Sequence, residues 1–475
     1  MLETDPGLVQ DRTLFVSVEA GMTLRDRGYD VLVIGGGTAG LCAAISAREN
    51  GARVLLAEAA PKGARGGNTR HSRNFRIAHE QPSRFFPGRY SGDEFFRQIA
   101  AVAEGRNSPD LTRLLVEQSE TLPDWMERQG VPFQSVLSPT LPWSKRTAFF
   151  LGGGMTMLNC LYRRAADLGI DVRYDLEITQ IELNGETAVF PIPTNQGDVF
   201  ARTAVVCAGG YQANRDWLRR DLGEKADILI NRGTAYGKGL ILQSLLKQGA
   251  LAAGRAGDCH LVAVDARSPD HDGGILTRAD TISWGIVVDS TGVRFHDEGG
   301  DTGPTRYAVW GRKVMQLPDG KAFSILDAAA SRRASPSIFP PVQADDIAAL
   351  AIKIGISPQT LSTTVFNFNQ AILAGEETTS GLIPPKSTRA YPLLEPPFFA
   401  YPIRPGITFT GFGVQVDQTA RVLFSGNKRA PNLFAAGMIM SPNILGGGYL
   451  AGAAMTIGAV FGRIAGREAA AYALE

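Results

Sequence analysis

The sequence predicts an α/β protein built around a doubly wound parallel sheet, and three observations carry that prediction. An apolar, β-branched run ending at Ile34 leads directly into Gly35, Gly37 and Gly40, which stand at G-x-G-x-x-G spacing. Glu58 follows at the end of a second apolar run. Two later runs, Thr203–Cys207 and Asn432–Ala436, also end in glycine, at Gly209-Gly210 and Gly437.

The elements follow in order. Asp30 to Ile34 reads as a buried parallel strand, Leu41 to Asn50 as a helix stopped by Gly51, and Arg53 to Ala57 as the next strand. Gly35 allows the tight turn, Gly37 lets the backbone approach a pyrophosphate, and Gly40 lets helix and strand pack closely. Thr38 and Ala39 open the helix, where free N–H groups and the dipole favour an anion. Glu58, with Ala59 beside it, is set to bond ribose hydroxyls. Gly66-Gly67-Asn68-Thr69 offers backbone N–H groups and small polar side chains to the rest of a dinucleotide. Gly153 and Gly154 precede a helix, Met155 to Leu168. Gly446-Gly447-Gly448 and an apolar helix from about Gly452 to Arg467 close the chain. One such strand-to-glycine junction suits a nicotinamide co-substrate; the series suggests a flavin held along its length.

Composition narrows the function. A chain of 475 residues holds two or three domains, and a net charge of +1 argues against a nucleic-acid partner. Cys42, Cys160, Cys207 and Cys259 are widely spaced, without metal-ligand spacing, and read as buried thiols of a reducing compartment. No run approaches eighteen apolar residues, and residues 1–28 lack the apolar stretch of a secretion signal. A cytoplasmic protein is expected.

Several stretches together resemble the FAD-binding fumarate reductase and succinate dehydrogenase flavoprotein superfamily from about residue 29 to 470. They are Arg65–His79, Ala148–Gly154, Ala208–Leu218, Arg294–Asp301 with Arg306–Gly311, and Phe461–Gly466. Within the superfamily the chain looks most like the tricarballylate dehydrogenase group. The resemblance implies FAD as cofactor, a Rossmann-like FAD-binding domain with an inserted α+β cap, and hydride transfer between a substrate carbon and flavin N5. The expected division is an extension at 1–28, FAD-binding segments at 29–265 and 406–475, and a cap at 266–405. The Pro-rich passage 384–405 reads as a stiff return linker. Ile178, Ala208, Gly209, Gly210, Gly437, Met438, Asn443 and Leu445 complete the expected cofactor contacts. Family members usually carry an acid where Met438 stands, so either another polar group compensates, or FAD is held less firmly or used differently.

Residues 59–79 contain no acid but concentrate Arg65, Arg70, His71, Arg73, Arg76 and His79. Such a set of donors suits carboxylates. Arg70, Arg73, Asn74, Arg76 and Thr410 are therefore expected to bind a polycarboxylate, of which tricarballylate, oxidised to cis-aconitate, is the type. Fumarate reductases carry a histidine beside a Thr-x-Gly-Gly turn and an arginine in the terminal Gly-rich loop. Gly406–Gly413 and Asn443–Tyr449 contain neither, which speaks against fumarate. Arg306, Tyr307, His71 and Tyr449 are the candidates for proton transfer. Tyr449 also supports a 3-ketosteroid Δ1-dehydrogenase-like reading. Enoate reduction is the same chemistry reversed, and a flavoprotein without catalysis, acting as an assembly partner, is the rival of another class. The chain offers no cluster or haem motif, so the resemblance implies a separate electron carrier, membrane-associated in the tricarballylate case.

Overall fold

The computed structural model describes residues 28–137, 144–182, 190–300, 306–426 and 430–475. The N-terminal extension, apart from Gly28, lies outside the described residues. The chain runs through β1 (Tyr29–Ile34), α1 (Thr38–Glu49), β2 (Val54–Ala57), α2 (Gly153–Asp167), β3 (Asp171–Arg173), β4 (Phe190–Ile192) and β5 (Val199–Val206). It continues through β6 (Ala252–Asp265), β7 (Ile286–Asp289), α3 (Arg306–Gln316), β8 (Ala322–Leu326), β9 (Val342–Ala344), β10 (Phe398–Val414), β11 (Leu433–Ala435) and α4 (Ala453–Leu474).

The first sheet has the order β11-β5-β1-β2-β3, all parallel, with β4 added antiparallel to β5. Val31 is paired on one side with Val54 and on the other with Thr203, and Val31, Leu32 and Val33 are fully buried. That double burial is why β1 reads as an unbroken apolar run rather than an alternating one. The chain leaves β1 one way through β2 and β3 and the other way through β5 and β11. The strand order therefore reverses between β1 and β5, and a crevice opens beyond their carboxyl ends.

α4 packs along α1 through three glycines. An added Cβ at Gly462 would meet the Ala39 carbonyl oxygen at 2.4 Å, and one at Gly466 the Ala43 oxygen at 2.1 Å. Gly458 faces Ala39 at the same seam. The two backbones therefore touch where side chains would normally hold helices 8–10 Å apart. α4 also runs on to Leu474, beyond the expected stop at Arg467, because Ala469, Ala470 and Ala473 continue its buried face.

The cap sheet has the order β7-β8-β10-β9, each neighbouring pair antiparallel; β6 joins it antiparallel along β10, and the short strand Ile230–Asn231 joins β10 in parallel. The expected boundary at 265/266 coincides with the end of β6, whereas 405/406 falls inside the 17-residue strand β10. The passage 384–405 is thus not a linker throughout. From Phe398 onward it is paired strand, and its prolines sit where β8 and β6 flank it. Register shifts interrupt the β6–β10 pairing between Ile407 and Phe409 and between Thr410 and Phe412. All four cysteines are unpaired. Among the described residues no helix is long and apolar enough to cross a membrane.

The α1–α4 seam is testable. Gly466→Leu forces a side chain against the α1 backbone and should cost about 1–3 kcal/mol or more in urea unfolding. Gly63→Ala, where nothing lies within 4 Å, should stay within about 0.5 kcal/mol of the parent.

Candidate active site

At the switch point Gly35 has φ +101°, and an added Cβ would lie 2.5 Å from the Cys207 carbonyl oxygen. The turns after β1 and β5 therefore close against each other with no side chain between them. Gly37 caps α1 without a side-chain bond, so the helix start is left open toward the crevice. Thr38 N donates to Thr69 Oγ1 at 3.0 Å, and the two hydroxyls lie 2.9 Å apart. This fastens α1 to the turn that begins at Gly66.

Glu58 is buried at the end of β2. Its Oε2 accepts from Gly36 N at 3.2 Å and Gly66 N at 3.0 Å, and its Oε1 accepts from Ala60 N at 3.0 Å. Tyr162, from α2, donates to the Gly36 carbonyl at 2.9 Å. Backbone N–H groups, which carry no net charge, thus hold the carboxylate and with it the three loops at the crevice mouth.

The crevice is a cavity of about 320 Å³. One end is lined by Gly35, Gly37, Thr38, Ala39, Glu58, Ala59, Gly66, Gly67, Asn68, Thr69, Ile178, Ala208, Gly209, Gly210, Gly437 and Met438. The sequence brought these positions forward, and the fold gathers them. Five others stand behind the wall. Gly40 packs on Gly35, with an added Cβ 1.7 Å from its oxygen, and Gly154 likewise packs 1.9 Å from the Thr69 oxygen. Gly153 begins α2 at φ +66°. Asn443 spends its amide on the Val414 and Met440 carbonyls, and Leu445 is a core residue.

The other end lies against the cap. Here His71, Arg73, Asn74, Tyr307 and Tyr449 line the cavity, as do His260, Arg232, Arg278, Thr408 and Phe409. The Tyr307 and Tyr449 hydroxyls are 2.9 Å apart. The Tyr449 ring stacks on His260, centroids 3.8 Å apart and planes 7° from parallel. Burial first, then the Tyr307 hydroxyl, raises the Tyr449 phenol well above its ordinary range. Burial also drives His260 well below the ordinary histidine value, helped by the charges of Arg232 and Arg312. His71 Nε2 lies 2.9 Å from Asp272 Oδ1; burial lowers this histidine, outweighing the carboxylate. Arg278 grips Asp280 through Nε at 2.8 Å and Nη2 at 2.6 Å and lies over the Tyr307 ring.

Three expected substrate ligands are corrected. Arg76 is buried, with Nε on the Ala451 carbonyl and Nη1 on Tyr90 and Gln98. Arg70 turns back to the Ala64 carbonyl and Asp272. Thr410 is 1% exposed and its hydroxyl accepts from Tyr211 N at 3.2 Å. The register shift after Ile407 re-aims the strand, so Thr408 and Phe409 take the cavity wall instead. Arg306 opens α3; its side chain lies outside the described residues. His79 stacks on Phe86 at 3.8 Å and sets its ring nitrogens against the Ile77 and Gly88 carbonyls, a structural role. The sequence reading missed His260, Arg232 and Arg278. His260 sits in β6 opposite Phe409, a pairing across the whole cap that no local pattern announces.

The two depressed histidines give a pH dependence with a definite sign. In the unfolded chain each takes a proton near pH 6.5, whereas in the fold each stays neutral to lower pH. The unfolded state then binds more protons, so stability should fall as pH drops below about 6.5. Urea midpoints measured from pH 7 to 5 should show that slope, and His260→Gln should make it shallower.

A family model described as FAD binding domain matches residues 30–454. The chain is 26% identical over 470 residues to the NADH:fumarate oxidoreductase of Klebsiella pneumoniae (strain 342), covering 95% of this chain and 48% of that protein. It therefore spans about half the length of that relative. It is also 26% identical over 466 residues to the fumarate reductase (cytochrome) of Shewanella frigidimarina, covering 93% of this chain and 77% of that one. The open conformation of a flavocytochrome c3 fumarate reductase superposes with a TM-score of 0.76 at 23% identity, covering 94% of this chain and 79% of that structure. The chain belongs to the FAD-binding fumarate reductase/succinate dehydrogenase flavoprotein family, a family of FAD-dependent oxidoreductases.

Proposed function

We propose that the chain exchanges a pair of hydrogens between FAD and a carbon–carbon bond of a small polycarboxylate, tricarballylate and cis-aconitate being the saturated and unsaturated type. The observation that carries this reading is the Tyr307–Tyr449 hydroxyl pair at the cap end of a cavity whose other end is the glycine-lined start of α1.

The residues present fit FAD. At Gly37 an added Cβ would stand 3.4 Å from the Gly66 oxygen and occupy the space through which a pyrophosphate reaches the backbone. Glu58 Oε1 accepts a single N–H and retains a lone pair for a ribose hydroxyl. In this reading Gly35 to Ala39 and Gly66 to Thr69 hold the phosphates and ribityl chain, with Ala208 to Gly210, Ile178 and Met438 around them.

FAD, when bound, supplies the hydride exchange. A proton must also move at the neighbouring carbon, and that is work for the protein. Tyr449 holds this proton. Its phenol, raised by burial, is protonated at neutral pH, the form in which it can deliver a proton to the neighbouring carbon. Tyr449 is then the acid in saturation of a C=C bond, and dehydrogenation is the same path reversed. Tyr307 donates to or accepts from Tyr449 and passes on the replacement proton, while His260 holds the Tyr449 ring flat. Arg73, which forms no ion pair among the described residues and lies over the Phe149 ring, takes a substrate carboxylate. The family resemblance implies a separate electron carrier for the flavin, membrane-associated in the tricarballylate case.

The same hydroxyl pair would also suit a ketone oxygen, which keeps a 3-ketosteroid as the second reading. Anaerobic mixing separates the two. Dithionite-reduced protein should regain its oxidised flavin band with cis-aconitate, and Tyr449→Phe should slow this roughly 10²–10⁴-fold while keeping its flavin. Reoxidation by a dienone steroid alone would overturn the polycarboxylate reading, and a protein that never takes up flavin would support the non-catalytic one. Met438→Glu restores a strong acceptor and should tighten FAD about tenfold or more, read by fluorescence titration of the apoprotein.

A further inference from the structure

Arg232 is only 8% exposed, yet it lines the cavity beside the tyrosine pair. Its Nη1 donates to Thr408 Oγ1 at 2.7 Å and its Nη2 to the Gly274 carbonyl at 2.9 Å, and its Nε has no partner. Every one of these contacts is neutral. No carboxylate forms an ion pair with it among the described residues. The stem is fixed as well: an added Cβ at Gly406 would sit 2.8 Å from Arg232 Cγ, so the strand leaves it a slot.

The contrast with nearby cations is informative. Arg278 has Asp280 as a bidentate partner, and Arg70 and His71 share Asp272. Arg278, Arg70 and His71 thus have carboxylate partners, whereas the buried Arg232 has none among the described residues. A desolvated guanidinium without an anion is unfavourable, and burial pulls this one down to about 10. The charge of Arg232 also reaches Tyr449 and His260, which places it among the groups of the cap end.

We infer that Arg232 is the specificity-determining anion receptor of this cleft, whose missing counter-ion is a carboxylate of the substrate. It selects ionised acids over neutral ketones, because only an acid completes the pair. The inference rests on the proposed function and deepens it, since it assigns substrate class to one residue.

The test uses FAD-loaded protein and malonate, a dicarboxylate with no bond to saturate or desaturate. Malonate binding is followed by the shift of the flavin spectrum and by the rise in thermal midpoint. The parent should bind malonate. Arg232→Met should weaken binding about 10- to 100-fold and abolish the thermal gain, and Arg232→Lys should recover part of both. Arg232→Gln keeps an N–H donor in the slot without the charge, and serves if the methionine variant loses its flavin. Malonate affinity of either neutral variant within about twofold of the parent would overturn the inference while leaving turnover of cis-aconitate by the parent intact. A parent that binds no carboxylate and responds only to steroid would overturn both readings, and so tells the two failures apart.

Discussion

The cleft depends on one constraint: α1 is held by its backbone on both sides. Gly40 brings it against the turn after β1, Gly35 sets that turn against the one after β5, and Gly462 and Gly466 bring α4 against its outer side. Backbone contact of this kind leaves no side chain free to change rotamer, so the helix start is fixed relative to the sheet. The effect extends further, because Thr456 on α4 donates to the Arg76 carbonyl at 2.8 Å and accepts from Arg76 N at 2.9 Å. The short strand Asn74–Arg76, which follows Arg73, is therefore tied to the same helix. Both ends of the cavity rest on that one seam.

Charge is distributed along the cavity with similar economy. Glu58 at one end is satisfied by amides, and at the other Arg278 is met by Asp280 and His71 by the Asp272 it shares with Arg70. Arg232 Nε is left without a partner there, beside the Tyr307–Tyr449 hydroxyl pair and the His260 imidazole that burial keeps neutral. Such a site holds an anion without neutralising the groups that handle protons, because none of them needs to ionise when the anion arrives.

Much of the parallel-sheet half was legible because its signals are local. The β1–α1–β2 unit, its glycines and Glu58 lie within thirty residues of sequence, where apolar runs and glycine spacing report directly on strand and turn. The cap end was legible only in part. Tyr307, Tyr449, His71 and Arg73 do meet there, but Arg76 and Arg70 share their basic stretch and turn elsewhere. Composition cannot tell an arginine that waits for a ligand from one that has found a tyrosine or a carbonyl. The substitution of Thr408 for Thr410 turns on a register shift, and the stacking of His260 on Tyr449 joins residues far apart in the chain. Both are decided by strand pairing across the cap.

The long pair β6 and β10 bears on how the cap moves. Asp265 to Ala252 run beside Ile403 to Val414 as one antiparallel ribbon, beginning in the cap sheet and ending where Gly413 abuts Ile439. A cap joined by two loose loops would swing as a free lid. A cap mounted on a hydrogen-bonded ribbon behaves instead as a leaf spring, resisting sideways displacement and yielding most where the ladder is interrupted. Those interruptions fall beside Thr408 and Phe409, so any flexing of the spring changes the shape of the cavity wall itself.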